Sequence, residues 1–353
     1  MARGATSPSH TTLSSLRSEI RIDLGAVRSN VRVLLRVLAG TELWAVVKAD
    51  GYGHGAVDIG RAALEAGATA LCTATLEEAV ELRRAFPDAR VLALGPMSRD
   101  QLPAARDARL EVVSVDGQVP EGVPVHVKLD TGMGRWGAGE LVRPPRQVVG
   151  VMSHLATADS DPAFALRQVE RFREAAAPYS GLTRHIANSA AALRLPESRF
   201  EAARCGIALY GLSPFGTDPA DDGLTPVLSW RSELAQAKLL RPGESTGYGR
   251  RFVAGETTWI GLVPVGYADG FRRDMSGTEV LVDGERCRVV GTVSMDAFAV
   301  ELPGERPVGT PVTLIGDGIL AEEHARVAGT INYEVVSRLE SRPHRASRTV
   351  ADA

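Results

Sequence analysis

The sequence predicts an α/β chain with two cores: a (β/α)8 TIM-type barrel followed by a mostly β C-terminal domain. Three observations carry this. From about residue 43 to 212, short β-rich runs alternate with segments of helical spacing. A Pro/Gly/Asp-rich stretch near residue 220 breaks the alternation, and beyond it the helical periodicity gives way to strand and hairpin signals. The chain has 353 residues, too many for one ordinary core and few for three. The expected division is a flexible N-terminal tail over 1–18, the barrel over 19–221 and the β domain over 222–353.

The elements follow in order. Eight β-rich runs cover residues 43–49, 69–75, 90–95, 111–115, 123–130, 148–154, 183–188 and 207–211. Between them lie amphipathic faces such as Leu76, Ala79, Val80 and Phe86, or Ala165, Val169, Phe172 and Ala176, at three- and four-residue steps. Strands separated by helices must pair in parallel, because each crossover returns to the same edge of the sheet. Eight such units in under 200 residues favour a closed barrel; a doubly wound open sheet of six or seven strands is the alternative. In the last third, residues 280–282 and 286–290 flank Asp283-Gly284, a tight-turn pair that supplies positive φ angles and so marks a hairpin. Further strands are expected over 259–265, 297–302 and 311–315, with a short helical piece over 322–328.

Composition narrows the function. Hydrophobic residues make up 44% and charged residues 24%, enough for a sizeable core. Lys+Arg total 40 against Asp+Glu 43, so the basic excess of a nucleic-acid binder is missing. No uncharged apolar run approaches the roughly 18 residues of a membrane span, and the N-terminus lacks the apolar stretch of a signal peptide. Three cysteines at wide spacing argue against a disulfide framework or a zinc cluster, and for a cytoplasmic enzyme-sized protein.

In such a barrel the active site lies at the C-terminal ends of the strands. There the sequence delivers Lys48, Lys128 with Arg135 just beyond it, His154, Asn188-Ser189 and Arg204-Cys205-Gly206-Ile207. Loops after the seventh and eighth strands commonly bind phosphate; Ser189 offers a hydroxyl, and Gly206 and Ile207 offer backbone N–H groups. A phosphate site beside a lysine on another strand suggests pyridoxal 5′-phosphate, which needs an anion anchor and an amine. The run Gly132–Gly137, G-M-G-R-W-G, matches a dinucleotide fingerprint in letters only: Pro144-Pro145 follow where a helix is required. No Walker loop, G-x-S-x-G elbow or His/Cys metal spacing is present, so no metal is expected.

A-V-V-K-A-D-G-Y-G-H-G-A (45–56) resembles the cofactor-lysine motif of the alanine racemase family. So do K-L-D-T-G-M-G-R-W-G (128–137), S-H-L-A-T-A-D (153–159), A-N-S-A-A (187–191) and R-C-G-I-A-L-Y-G (204–211). G-Y-G-R (247–250), V-G-Y-A-D-G (265–270), V-S-M-D (293–296) and I-N-Y-E (331–334) continue the likeness in order, which runs from about residue 20 to 345. The resemblance implies a fold-type III pyridoxal-phosphate enzyme acting on alanine, a head-to-tail homodimer whose sites combine one barrel with Tyr248 and Met295 of the partner's β domain. It implies Lys48 as cofactor holder and base on the D-alanine face, and Tyr248 as base on the L-alanine face. Tyr52, Ser189, Gly206, Ile207 and Tyr333 would hold the phosphate, with Asn188 close by. Arg204 would face the ring nitrogen, Arg135 the substrate carboxylate, and His154 would lie between Arg204 and Tyr248. Tyr267 and Asp296 would support the site, and Lys128 matches a lysine that carries a carbamate in some relatives.

The chain departs from the family pattern at Asp50-Gly51, expected to loosen the lysine loop, and at Cys205, read as packing. Rival readings are a broader racemase for serine, lysine or arginine, a fold-type III decarboxylase, a non-catalytic cofactor carrier and a metal-dependent aldolase.

Overall fold

The computed structural model describes residues 17–141, 146–179 and 181–352. The expected tail over 1–18 therefore lies, except for Arg17 and Ser18, outside the described residues. Eight parallel strands close into a barrel: β2 (Glu42–Val46), β3 (Ala70–Thr73), β4 (Arg90–Ala93), β5 (Glu111–Ser114), β6 (Val125–Lys128), β7 (Val148–Met152), β8 (Thr183–His185) and β9 (Ala202–Cys205). Closure is made by Glu42↔Ala202 through Ala45↔Cys205.

The eighth strand corrects the sequence reading. It is 202–205, while Ile207–Tyr210, expected as strand, forms a single 3-10 turn. The reason is local. Glu42 N bonds back to Glu201 O and Arg204 N to Ala187 O, which fixes the ladder one segment earlier. Tyr210 then leaves the sheet to place its hydroxyl on Val46 O at 2.9 Å.

The helices follow their signals. Leu24–Leu38 starts on Asp23, whose carboxylate accepts from Ala26 N, and buries Val27, Val31, Leu34 and Leu38 along one stripe. Leu76–Ala85 opens on a capping box between Thr75 and Glu78. Pro162–Ala176 buries the expected Ala165, Val169, Phe172 and Ala176.

The second core lies under a nine-stranded sheet. Its members are β1 (Glu19–Asp23), β10 (Leu228–Glu233), β11 (Gln236–Leu240), β14 (Thr258–Val263), β15 (Glu279–Val282), β16 (Glu285–Val290), β17 (Phe298–Leu302), β18 (Pro311–Ile315) and β19 (Ser347–Ala351). Their order is β11-β14-β17-β16-β15-β18-β10-β1-β19. The hairpin turns at Asp283 and Gly284, both at positive φ (52° and 82°), as the Asp-Gly pair foretold. β1 precedes the barrel in the chain yet pairs with β10 and β19, so residues 19–23 belong to this sheet. A two-residue pair, β12 (Ser245–Thr246) with β13 (Phe252–Val253), projects the turn that bears Tyr248.

The helix Ala321–Val327 matches the expected helical piece; Asn332–Ser337 was not anticipated. Buried Glu322 joins the two by accepting from Ser213 N and Asn332 Nδ2, both at about 2.9 and 2.8 Å. That contact brings the β domain against the barrel mouth. No helix among the described residues is long and apolar enough to cross a membrane.

Candidate active site

Lys48 stands just past β2, where the chain does something rare. Ala49, Asp50, Gly51 and Tyr52 all have positive φ (52°, 50°, 60° and 54°), a left-handed turn closed by Gly51 N to Val47 O at 2.9 Å. Left-handed backbone crowds Cβ against the following carbonyl, costing about 1–2 kcal/mol per non-glycine residue. The turn is held from outside: Glu78 accepts Ala49 N at 2.7 Å, and Asp50 accepts Ala56 N at 2.9 Å. Asp50 thus ties the lysine loop down, and Gly51 removes strain at one of its positions.

The turn throws Tyr52 inward, 4.8 Å from the Tyr210 ring and 6.1 Å from Tyr333. Its hydroxyl lies against Gly206, where a Cβ would come within 2.4 Å of Tyr52 Oη. Ser189 Oγ sits in the same nest and accepts from Gly206 N at 3.0 Å. Asn188 caps the helix Ser189–Arg194 by accepting from Ala191 N. Ile207 N–H opens the 3-10 turn beside them. Burial raises the pKa of both Tyr52 and Tyr333, so these phenols stay protonated and able to donate to an anion.

Four cations converge across from this nest. Arg204 is buried and donates to Ser153 O at 2.7 Å, His185 O at 3.0 Å and His154 Nδ1 at 3.2 Å; burial lowers it to about 10. Lys128, also buried, falls to about 8 through burial and then the charges of Arg135 and Arg204. Lys48 is lowered by burial and then by Arg135. Burial, joined by all four cations, holds His154 well below its usual value, hence neutral. The nearby carboxylates, Glu78 and Asp130, are occupied by backbone N–H groups: Glu78 by Ala49, Ala74 and Thr75, Asp130 by Gly132, Met133 and Gly134. The latter bonds also settle the G-M-G-R-W-G run: its N–H groups wrap their own Asp130, shaping the loop that presents Arg135. A cavity of about 660 Å³ opens here, lined by Arg135, His154, Asn188 and Tyr333 among others, within the size range of small-molecule sites. Cys205 is fully buried, and burial pushes its thiol up to about 12, leaving it inert.

The remaining expected residues sit elsewhere on this chain. Tyr248 is 71% exposed, Met295 51% and Tyr267 44%. The loops of the last two are stitched together by Tyr267 N to Ser294 O (3.1 Å) and Ala268 N to Met295 O (3.0 Å). Asp296 pairs with Arg345 at 2.7 Å. Large apolar side chains standing this far out of the surface are the mark of an interaction face.

Comparison with known proteins matches this arrangement across both domains. The profile described as "Alanine racemase, N-terminal domain" fits residues 22–214, and "Alanine racemase, C-terminal domain" fits 227–347. The chain belongs to the alanine racemase family. The racemase is 42% identical to Alanine racemase 1 of Bacillus subtilis, covering 91% of this chain and 90% of that one. It is 43% identical to the alanine racemase of Streptomyces coelicolor, covering 93% and 95%. Among solved structures, the alanine racemase from Streptomyces coelicolor A3(2) superposes with a TM-score of 0.87 at 39% identity, over 96% of this chain and 99% of that one. The protein is thus an isomerase of the amino-acid racemase type.

Sequence reasoning missed Glu78, whose role shows only once Ala49 N is seen to point at it. It also missed His126 and His185, which fill the barrel behind Arg204. His126 stands between two valines in β6, whereas His185 follows Thr183 and Arg184 in β8 and carries no such signal.

Proposed function

We propose that this racemase interconverts L-alanine and D-alanine with pyridoxal 5′-phosphate as cofactor, in the cytoplasm, making D-alanine as a peptidoglycan precursor. The observation that carries the proposal is the pairing of a hydroxyl and N–H nest with four cations, beside which Glu78 and Asp130 are held by backbone N–H groups. The donors suit the cofactor: Tyr52, Ser189, Gly206, Ile207 and Tyr333 would take the phosphate, with Asn188 bracing Ser189 from its capping position. When bound, the cofactor supplies an electron-withdrawing ring that acidifies the α-hydrogen of an attached amino acid.

The protein's own groups do the rest. Lys48 holds the cofactor covalently and serves as base on one face of Cα; burial and Arg135 favour the neutral amine that a base must be. Arg135 takes the substrate carboxylate. Arg204 would face the ring nitrogen, and its guanidinium, which only donates and stays charged, would give that nitrogen no proton to keep. Tyr248 serves as base on the opposite face. Since it stands exposed on the β domain, it acts on a second copy's barrel, in a homodimer to which Met295, Tyr267 and Asp296 also contribute. His154, neutral and beside Arg204, lies on the path from Arg204 toward that tyrosine. Lys128 braces Arg135, as a carbamate where carbon dioxide reacts with its amine.

The test is a chiral assay of the cofactor-loaded protein against a panel of L-amino acids in heavy water. L-alanine should yield deuterated D-alanine faster than any other substrate yields its enantiomer, and Lys48→Ala should yield none. Faster turnover of serine, lysine or arginine would move the assignment to a broader racemase.

A further inference from the structure

An unbroken line of hydrogen bonds runs through the barrel interior behind Arg204. Arg204 Nη1 meets His185 Nδ1, His185 Nε2 lies 2.8 Å from His126 Nδ1, and His126 Nε2 lies 2.7 Å from Glu111 Oε2. Glu111 Oε1 then accepts from Arg90 Nε at 2.7 Å. Both imidazoles are fully buried. The Trp44 ring packs against each, with centroids 5.7 Å from His126 and 4.6 Å from His185, and Arg90 covers Trp44 at 4.4 Å. Glu111 opens β5 at the end of the barrel away from the mouth, whereas Arg204 lies near the mouth end of β9.

The chemistry of the ends fixes the direction of every bond. A guanidinium only donates, so His185 Nδ1 must accept. A neutral imidazole has one N–H, which in His185 is then on Nε2 and points at His126 Nδ1. By the same rule His126 carries its proton on Nε2 and gives it to the Glu111 carboxylate. From Arg204 to His126 every donor points away from the mouth, and the line meets the Arg90 guanidinium at a shared anion, Glu111. Burial lowers both histidines and keeps them neutral. Burial alone would raise Glu111, but hydrogen bonds from His126 and Arg90 outweigh it and hold the carboxyl below its usual value.

The sheet makes room for this line. Gly150 sits in the middle of β7, where glycine weakens a strand unless something must come close. A Cβ there would lie 2.1 Å from His126 Nδ1. The glycine is the space for the imidazole.

We propose that Glu111, His126 and His185 are positioning residues of the racemase, a hydrogen-bond line of fixed polarity that aims the Arg204 guanidinium and places a balancing negative charge behind it. The role in turnover rests on the place given to Arg204 under the proposed function; the line itself does not. Its logic is spatial. A carboxylate bonded directly to Arg204 would compete for it at the mouth, whereas one set two imidazoles away polarises the line while the Nη groups keep their bonds to His185, Ser153 and His154 and Nε–H is left to the site.

The experiment starts with the cofactor-free protein labelled with ¹⁵N in its seven histidines. His126 and His185 should both appear as the Nε2–H form, assigned by the loss of signals in His126→Gln. Glu111→Gln removes the charge, and Gly150→Ala displaces His126 by steric contact without changing any charge. Both should shift the His185 nitrogen resonances. In the loaded enzyme both should lower kcat about 10- to 100-fold, the range for removing partners that orient a site's ligands. KM for alanine should change by less than roughly threefold, because Arg135 is untouched. Glu111→Asp, which keeps the charge, should recover most of the loss. An Nδ1–H form at either histidine would overturn the line, even with racemase activity intact. Shifted His185 resonances with unchanged kcat would overturn its role. Correct tautomers in a wild type that racemises nothing would refute the proposed function and, with it, that role.

Discussion

Lys128 ends β6 with its amine 5.8 Å from the Trp136 ring and two guanidinium groups near by. Its folded value of about 8 lies below the ordinary 10.5, so the folded protein binds fewer protons than the unfolded chain between those values. Stability therefore rises with pH across that window, and the charged lysine is a burden below it. In cofactor-free protein kept free of carbon dioxide, Lys128→Met should be more resistant to urea than the wild type at pH 7. That advantage should fade as the pH climbs from 8 toward 10.5. A constant advantage would mean that the amine does not titrate there. Bicarbonate added at pH 8 should raise the wild-type midpoint and leave the variant unmoved, because the neutral amine can form an N–C bond to carbon dioxide and release its proton to solvent. The resulting anion would face Arg135 and Arg204.

At the scale of an element, the turn after β2 shows how the site imposes itself on the backbone. Ala49 sits at φ 52°, ψ 52°, a conformation that costs an alanine about 1–2 kcal/mol. Ala49→Gly removes that cost and gives back about 0.4–1 kcal/mol through the greater freedom of the unfolded chain. The net effect should be a stabilisation of up to about 1 kcal/mol by denaturant titration, opposite in sign to the same change in a right-handed helix. A loss of stability would show that the turn is not left-handed in solution. Such a turn could not be read from the sequence, since A-D-G-Y carries only one residue that favours it; Glu78 and Asp50 supply the restraint from outside. Several barrel strands were legible as short apolar runs next to helical faces, although among the described residues no helix separates β5, β6 and β7. The last was misplaced because Ile207–Tyr210 is as apolar as Ala202–Cys205, and only the ladder partners distinguish them. β1 was not read as a strand, and residues 19–23 were simply counted with the barrel. Its partners, β10 and β19, lie more than 200 residues away in sequence, and pattern carries no such information. Lys48, Lys128, His154, Asn188-Ser189 and Arg204-Gly206 were read at strand ends, while Tyr52 and Tyr333 came only from the family resemblance; His126 and His185 were not singled out, because a polar residue inside a barrel strand reads alike whether it serves the mouth or only packs.

For the whole molecule, the proposed function divides one site between two places on the chain. Lys48 and the phosphate nest belong to the barrel, and the helix Asn332–Ser337 of the same chain closes over them with Tyr333. Tyr248, by contrast, rides on a projecting turn held by Thr292 Oγ1 to its carbonyl at 2.9 Å, with its ring in the open. On the proposed reading, this turn presents the tyrosine to a second copy. A two-fold dimer would bring each such tyrosine to the other copy's mouth, giving two equivalent composite sites. Mixing then becomes diagnostic. Lys48→Ala has a faulty barrel and a sound β domain; Tyr248→Phe has the reverse, with ring packing kept and the hydroxyl gone. Each variant alone should lose about 10²–10⁴ or more in the proton step. After unfolding and joint refolding, about half of the dimers are mixed, and each of those holds one site with both Lys48 and Tyr248 and one with neither. Activity should return to roughly a quarter of the wild-type value per total chain, since one site in four is intact. Exchange of subunits can be followed independently by mass spectrometry of the native dimers. Mixed dimers that form and remain inactive would place both bases in one chain, and Tyr248 would have to be replaced by a group already at the mouth of its own barrel.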